Sequence, residues 1–491
     1  MGSATERKSA RWLVLLAAAG TLAVGAALAL GWEPGIRGEW VWRGNALPVR
    51  LWPAVLAGFA LVALSAIGCR PRRWGKTSSA ARATWLAALI VAVFVLQFSL
   101  LNALGGPWIG PGAIVASPNA TTYFGVSLEV HRPAQWLASY PQLMRNLPHH
   151  AATHPPGFVL LFVFVRRLCA SLVAEPTPWL GQIAQLYSDT FGLGLAPADA
   201  AGAMVSAYLI ALIGALGLVP LYLLVSHLVD HRSAICATYL AGSMPALLLL
   251  GASPDLIVMT LAVTALCLGY IGWRRGSHLA CAFAGLVVAV GLFFSLAFVL
   301  VPAWVLLWLA LGLRASQKRR ADVRSAARAG ILALAGFAVF YLVLYIVWGY
   351  RPIAVVRASL LAHREVTTIS FARTYWKWVL MNPVECALFV GLPLTAAAVW
   401  SARALARGAK QSGLRWFLLS ALLVFVALDF SGVVRGEVGR IWLFLLWPAA
   451  VAGGTWLAAR AEHGPVAALL ILLQVLQALL MRGYLTIYSI L

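Results

Sequence analysis

Three stretches of this chain set titratable side chains directly against apolar runs. HHAATHPPGF (149–158) carries His154 before two prolines, LLLLGASPDLIVMTL carries Asp255 between two apolar segments, and DFSGVVRGEVGRIWLFLLWP (429–448) carries Arg435, Glu437 and Arg440. An imidazole or a carboxylate can take a proton from a reacting hydroxyl. Guanidinium groups bind phosphate bidentately and stabilise an anion whose charge grows in a transition state. A fourth stretch, YRPIAVVRASLLAHREVTTISFARTYWKWVLMNP, interleaves Arg373 and its neighbouring cations with Tyr375, Trp376 and Trp378. Aromatic faces of this kind stack on sugars or anchor at a membrane interface. Each stretch also has a plainer reading. His154 could mark a helix start, Asp255 could cap the helix that follows it, and Glu437 could be a structural salt-bridge partner. Glu39, in RGEWVWR (37–43), fits an interfacial hairpin better than a catalytic carboxylate.

These residues must be positioned by membrane helices. The chain has 491 residues, is 62% hydrophobic and only 11% charged, against about a quarter charged in soluble domains. Apolar runs long enough to cross a bilayer recur from end to end. Their unbroken character excludes the alternating pattern of a barrel. The expectation is an all-α, polytopic membrane protein of about thirteen transmembrane helices with outward-facing interfacial loop helices. Spans fall near 12–32, 51–69, 84–105, 201–226, 234–251, 255–273, 279–294, 296–313, 329–349, 384–402, 416–432, 441–458 and 464–481. The N-terminus, ERKSAR before an apolar run, reads as a retained first span rather than a cleaved signal.

The net charge of +22 reflects basic cytoplasmic loops, not a nucleic-acid partner. RPRRWGK (70–76), WRRGSH (273–278), RASQKRRADVR (314–324) and RALARGAK (403–410) are the anchors of that side, together with the N-terminus. With these anchors inside, one of the apolar stretches between residues 155 and 273 cannot cross. The segment 156–174, interrupted by Arg166 and Arg167, is expected to lie in the interface or re-enter from the outer side. Of the carboxylates, only Glu6, Asp230, Asp322 and Glu462 then face the cytoplasm. The outer surface mixes acids, arginines and histidines. The longest outer loop, 106–155, contains AQWLASYPQLM, whose weak helical periodicity suits a helix lying flat with Trp136 and Tyr140 at headgroup level. The six cysteines form no CxxC pair, so neither a disulfide framework nor a zinc site is indicated.

Taken in order, Tyr123-Phe124, Thr153-His154-Pro155-Pro156-Gly157, Ser253-Pro254-Asp255, Arg373-Thr-Tyr-Trp-Lys-Trp with Asn382-Pro-Val-Glu385, and Arg435-Gly-Glu-Val-Gly-Arg440-Ile-Trp442 carry a family likeness. The chain resembles the C-type (GT-C) integral-membrane glycosyltransferases, in the general plan of the aminoarabinose transferase and the protein O-mannosyltransferases. The likeness spans about residues 84–460, with 1–83 as an added two-span hairpin and 461–491 as a C-terminal span. It implies transfer of a sugar from a polyprenyl-phosphate-linked donor to an envelope acceptor. The address implied is the extracytoplasmic side of a bacterial cytoplasmic membrane. His154, Asp255 and Glu437 would be the catalytic residues, near the acceptor or a metal, with Tyr123, Arg373, Tyr375, Arg435 and Arg440 binding substrate. Some such enzymes use a divalent metal and others none, so the metal stays open. Where the family carries an acid in its first large outer loop, this chain reads SPNATTYF, with Asn119; the next carboxylate is Glu129. Two other classes stand beside this one. A transporter of lipid-linked glycans would show charges inside the spans and internal repeats, and neither is evident. A non-catalytic relative in envelope assembly would be consistent with Asn119.

Overall fold

The apolar runs fold as helices, the state in which a lipid-embedded segment satisfies its own backbone hydrogen bonds. The computed structural model describes residues 4–45, 49–69, 78–103, 110–173, 175, 177–314, 316, 319–365, 373–407, 412–459 and 464–488. The basic segment 70–76 lies outside them, as do parts of 314–324 and 403–410. The fold is all-helical and polytopic apart from one short hairpin, Gly35–Ile36 with Trp40–Val41.

Among the described residues, eight helices are long and apolar enough to cross a membrane, or nine if one bent pair is a single span. The expected thirteen are not reached, for identifiable reasons. Trp52–Gly68, His278–Phe294 and Leu443–Ala458 are apolar but short. The run 234–251 breaks after Gly242, ahead of Pro245, into His231–Gly242 and Pro245–Leu249. The run 384–402 turns by 106° between Tyr375–Val390 and Leu392–Arg403. Gly391 makes that turn in a left-handed conformation, φ +92. Two buried glutamines of the last helix satisfy the backbone it frees. Gln474 Nε2 donates to the Val390 carbonyl at 3.1 Å, and Gln477 accepts from the Leu392 N–H at 2.9 Å. A broken helix is tolerated at membrane depth only when neighbours supply such partners.

The expected non-crossing segment forms the helix Gly157–Leu172, which is too short to count among the candidate spans. Its arginines turn toward the loop elements. Arg166 pairs with Asp199 at 2.7 Å, and Arg167 donates to the His131 carbonyl at 2.7 Å.

The first and last segments pack together. Helix Ala4–Ala29 lies on Gly464–Tyr484 and Leu392–Arg407, and Trp52–Gly68 lies on Gly464–Tyr484 and Ser79–Leu101. The Asn45 amide donates to the carbonyls of Arg482 and Gly483 at 2.8 and 3.1 Å, and Thr486 N–H donates to the Arg43 carbonyl at 2.8 Å. At the opposite extreme, Arg319–Trp348 leaves most of its surface open and packs mainly along His278–Phe294.

Candidate active site

The HPPG segment is held in place from several sides. His154 ends the short helix His149–Thr153 in an extended conformation, and Gly157–Leu172 begins directly after the two prolines. Proline suits a helix start, where its missing N–H costs nothing. Gly157 is required by packing: a Cβ there would stand 2.5 Å from the Phe293 carbonyl oxygen. The Tyr140 hydroxyl reaches the carbonyls of Ala151 and His154, each at 2.8 Å. Thr122 Oγ1 accepts from the Ala151 N–H, and Ser359 Oγ donates to the Thr153 carbonyl. Tyr140 is therefore a buried tie rather than the headgroup anchor expected of it; the helix Pro133–Leu143 that carries it does form.

His154 Nδ1 lies 3.1 Å from the His150 carbonyl and 3.0 Å from Thr153 Oγ1. A carbonyl only accepts, so the tautomer with Nδ1–H satisfies it and leaves the lone pair on Nε2. The Tyr123 ring meets the His154 imidazole edge-on, centroids 5.9 Å apart. Burial holds the Tyr123 phenol well above its ordinary pKa, Asp255 adds to the rise, and Arg440 opposes it. Tyr123 thus lies within electrostatic reach of both Asp255 and Arg440.

Asp255 opens the helix Asp255–Arg275, but its side chain does not cap it. Oδ2 instead accepts from Ser253 Oγ at 2.7 Å and stands 3.8 Å from Arg440 Nε. Arg440 Nη2 donates to Glu437 Oε2 at 2.8 Å, and Arg373 Nη2 to Glu437 Oε1 at 3.3 Å. Asp255, Arg440, Glu437 and Arg373 therefore form one continuous chain of ion pairs. Arg435 makes no ion pair with Glu437. It exchanges hydrogen bonds with Arg373, each guanidinium donating to the other's backbone carbonyl. Arg435 also lies over the Tyr375 ring, 5.7 Å from its centroid, while the Tyr375 hydroxyl donates to the Phe430 carbonyl at 2.7 Å.

The loop that presents these groups rests on buried polar side chains. Asn382 donates to Asp429 at 2.9 Å and accepts from the Gly436 N–H at 3.0 Å. Glu385, fully buried, accepts from the Gly439 N–H at 3.0 Å. Gly436 and Gly439 face the Trp378 and Phe389 rings so closely that no side chain fits at either. This is the physical content of the RGEVGR spacing.

Glu39 has a role beyond its hairpin. Its carboxylate accepts from Thr374 N–H at 2.8 Å, Thr374 Oγ1 at 2.7 Å, Trp378 Nε1 at 2.8 Å and Lys377 Nζ at 3.0 Å. It therefore covers the N-terminus of Tyr375–Val390, where a negative charge is favoured. Burial alone would raise its pKa; the hydrogen bonds from Thr374, Lys377 and Trp378 outweigh that and bring it to about 2. Next to it, the Arg373 guanidinium lies over the rings of Trp40 and Trp378, 5.5 and 5.4 Å from their centroids.

Asn119 and Glu129 are both exposed, and neither takes part in an ion pair among the described residues. No group of three or more His, Cys, Asp or Glu side chains among those residues could hold a metal ion. Asp255 and Glu437 share a guanidinium instead.

Arg482 is a further buried cation beside this site, and its position at the end of an apolar helix offered no sequence signal beyond a basic last turn.

No family model matches the chain, and no curated protein matches it. Its structure is similar to the crystal structure of the Archaeoglobus fulgidus oligosaccharyltransferase in complex with Zn and sulfate. The TM-score is 0.50 at 15% identity, covering 81% of this chain and 53% of that one. The chain thus spans about half the length of that protein. At this identity the likeness concerns the fold alone, a polytopic helical one.

Proposed function

We propose that this chain is a membrane glycosyltransferase. It moves a sugar from a polyprenyl-phosphate-linked donor to an envelope acceptor at the extracytoplasmic face of a bacterial cytoplasmic membrane. The observation that carries this reading is the Asp255–Arg440–Glu437–Arg373 chain, with Tyr123 and His154 beside it. Exposed apolar side chains on the segments that carry it, among them Tyr375, Trp376, Phe430 and Val433, are of the kind a prenyl chain needs.

In the reaction the acceptor oxygen bonds to the anomeric carbon as the bond from that carbon to the phosphate oxygen breaks. The acceptor proton must leave with a base. Asp255 and, through Nε2, His154 are the groups suited to take it. Negative charge grows on the departing phosphate, and Arg440 is the guanidinium suited to meet it. Arg373 and Arg435 are tied to each other's backbone. Their part is to fix the loop, and Glu437 holds Arg440 at its angle.

The test is incubation of the purified, reconstituted protein with a panel of radiolabelled polyprenyl-phosphate sugars and crude envelope acceptor. New glycosidic label on the acceptor supports the reading. Movement of labelled lipid across the bilayer without any new glycosidic bond would favour a transporter and overturn it.

A further inference from the structure

Several hydrogen-bond donors around Asp255 have no acceptor among the described residues. Arg482 is 3% exposed. Its Nε donates to the Leu100 carbonyl at 2.9 Å, which fixes the side chain, yet among the described residues its Nη1 has no partner and no Asp or Glu lies within ion-pair distance of it. The Tyr488 hydroxyl accepts the Ala252 N–H at 3.0 Å, and none of the described residues takes its own proton. Arg482, Arg440 and Asp255 all lie within electrostatic reach of that hydroxyl. Arg440 Nε faces Asp255 from beyond hydrogen-bond distance and is likewise unpartnered. The Tyr123 hydroxyl, in reach of the same two groups, donates to none of the described residues.

Buried polar groups are nearly always paired, and a buried charge without a counter-charge is strongly disfavoured. Arg373 and Arg440 are matched by Glu437 and Asp255, whereas Arg482 has no counter-charge among the described residues. Unpaired guanidinium and phenol donors gathered at one place are complementary to a tetrahedral oxyanion, whose several oxygens each accept. We propose that Arg482, Tyr488, Arg440 and Tyr123 form an anion subsite that takes a phosphate group. That the phosphate belongs to a prenyl lipid rests on the function proposed above; the anion chemistry does not.

The test is binding, not turnover. Decaprenyl phosphate, decaprenol and inorganic phosphate are titrated separately against the full chain in nanodiscs, for wild type, Arg482→Gln and Tyr488→Phe. Wild type is expected to prefer decaprenyl phosphate over decaprenol. Each variant should lower decaprenyl phosphate affinity about tenfold to a hundredfold, the range for hydrogen bonds to a charged group. Unchanged decaprenol affinity shows that the variants are folded. Inorganic phosphate binding as tightly as the lipid identifies the source as a free anion and still supports the subsite. Equal affinity of wild type for decaprenyl phosphate and decaprenol, with no binding of inorganic phosphate, overturns it. So does full phosphate preference in both variants. Because no sugar is transferred, absence of glycosyl transfer would refute the proposed function and leave this result standing.

Discussion

Glu437 holds Arg440 from three residues away, Oε2 to Nη2 at 2.8 Å, from a left-handed backbone at φ 59. It is the one non-glycine residue in that conformation among those described. Such a conformation costs a non-glycine residue roughly 1–3 kcal/mol and persists where the surroundings demand it. Two substitutions separate backbone from charge. Glu437→Gly relieves the strain and removes both ion pairs. Glu437→Gln keeps the strain and weakens them. The expectation is that Glu437→Gly retains or raises the melting temperature while both variants lose about tenfold or more in transfer. A Glu437→Gly protein with undiminished transfer would show that its carboxylate does not position Arg440.

Glu39 predicts a pH dependence of stability. Its folded pKa, about 2, is depressed below the ordinary value of 4.5. A depressed carboxylate pKa contributes stability that is present above the unfolded value and is lost as pH falls through the folded one. The contribution should therefore be complete above about pH 5 and fade toward pH 2. Glu39→Gln should lower the melting temperature at neutral pH, and the gap to wild type should close on acidification through that window. A gap independent of pH would mean that packing, not charge, holds the hairpin on Thr374.

The outlying helix Arg319–Trp348 is docked through glycines. A Cβ on Gly285 would overlap the Ala333 carbonyl, and one on Gly336 the Ala282 carbonyl. Small residues let two helix backbones approach this closely in lipid. Gly285→Val and Gly336→Val should each destabilise the protein by about 1–3 kcal/mol through overpacking. Protease sensitivity of the protein, measured in nanodiscs, should rise in both. Wild-type resistance and melting temperature in both variants would show that the approach is not needed.

Much of this site is legible in the sequence because titratable residues are conspicuous in so apolar a chain. His154, Asp255, Glu437 and Arg440 stand out on that ground alone, and they do come together with Tyr123 and Arg373. The pairing among them is not legible. Arg435 and Arg373 are interchangeable as residue types, and only the turn at Gly436–Glu437 decides that Arg373 reaches the carboxylate. Glu39, Gln474 and Arg482 each act on residues far away in the chain. Long-range partners of that kind leave no local pattern. The span count suffers for a related reason. Hydropathy sees composition, but the bend at Gly391 and the break before Pro245 both lean on Gln474 of another helix, which donates to the Val390 carbonyl and accepts from Ser243 Oγ.

The most direct measurement is sugar transfer by Asp255→Asn and Arg440→Ala proteins beside wild type, each reconstituted and shown to be folded by melting temperature. Label should pass from a polyprenyl-phosphate sugar to acceptor with wild type, and fall about a hundredfold or more in each variant, as when a single transition-state donor is removed. The double variant should be little worse than either single one, because the two side chains share one ion pair. Wild-type transfer in both single variants would contradict the assignment of this ion-pair chain as the active site.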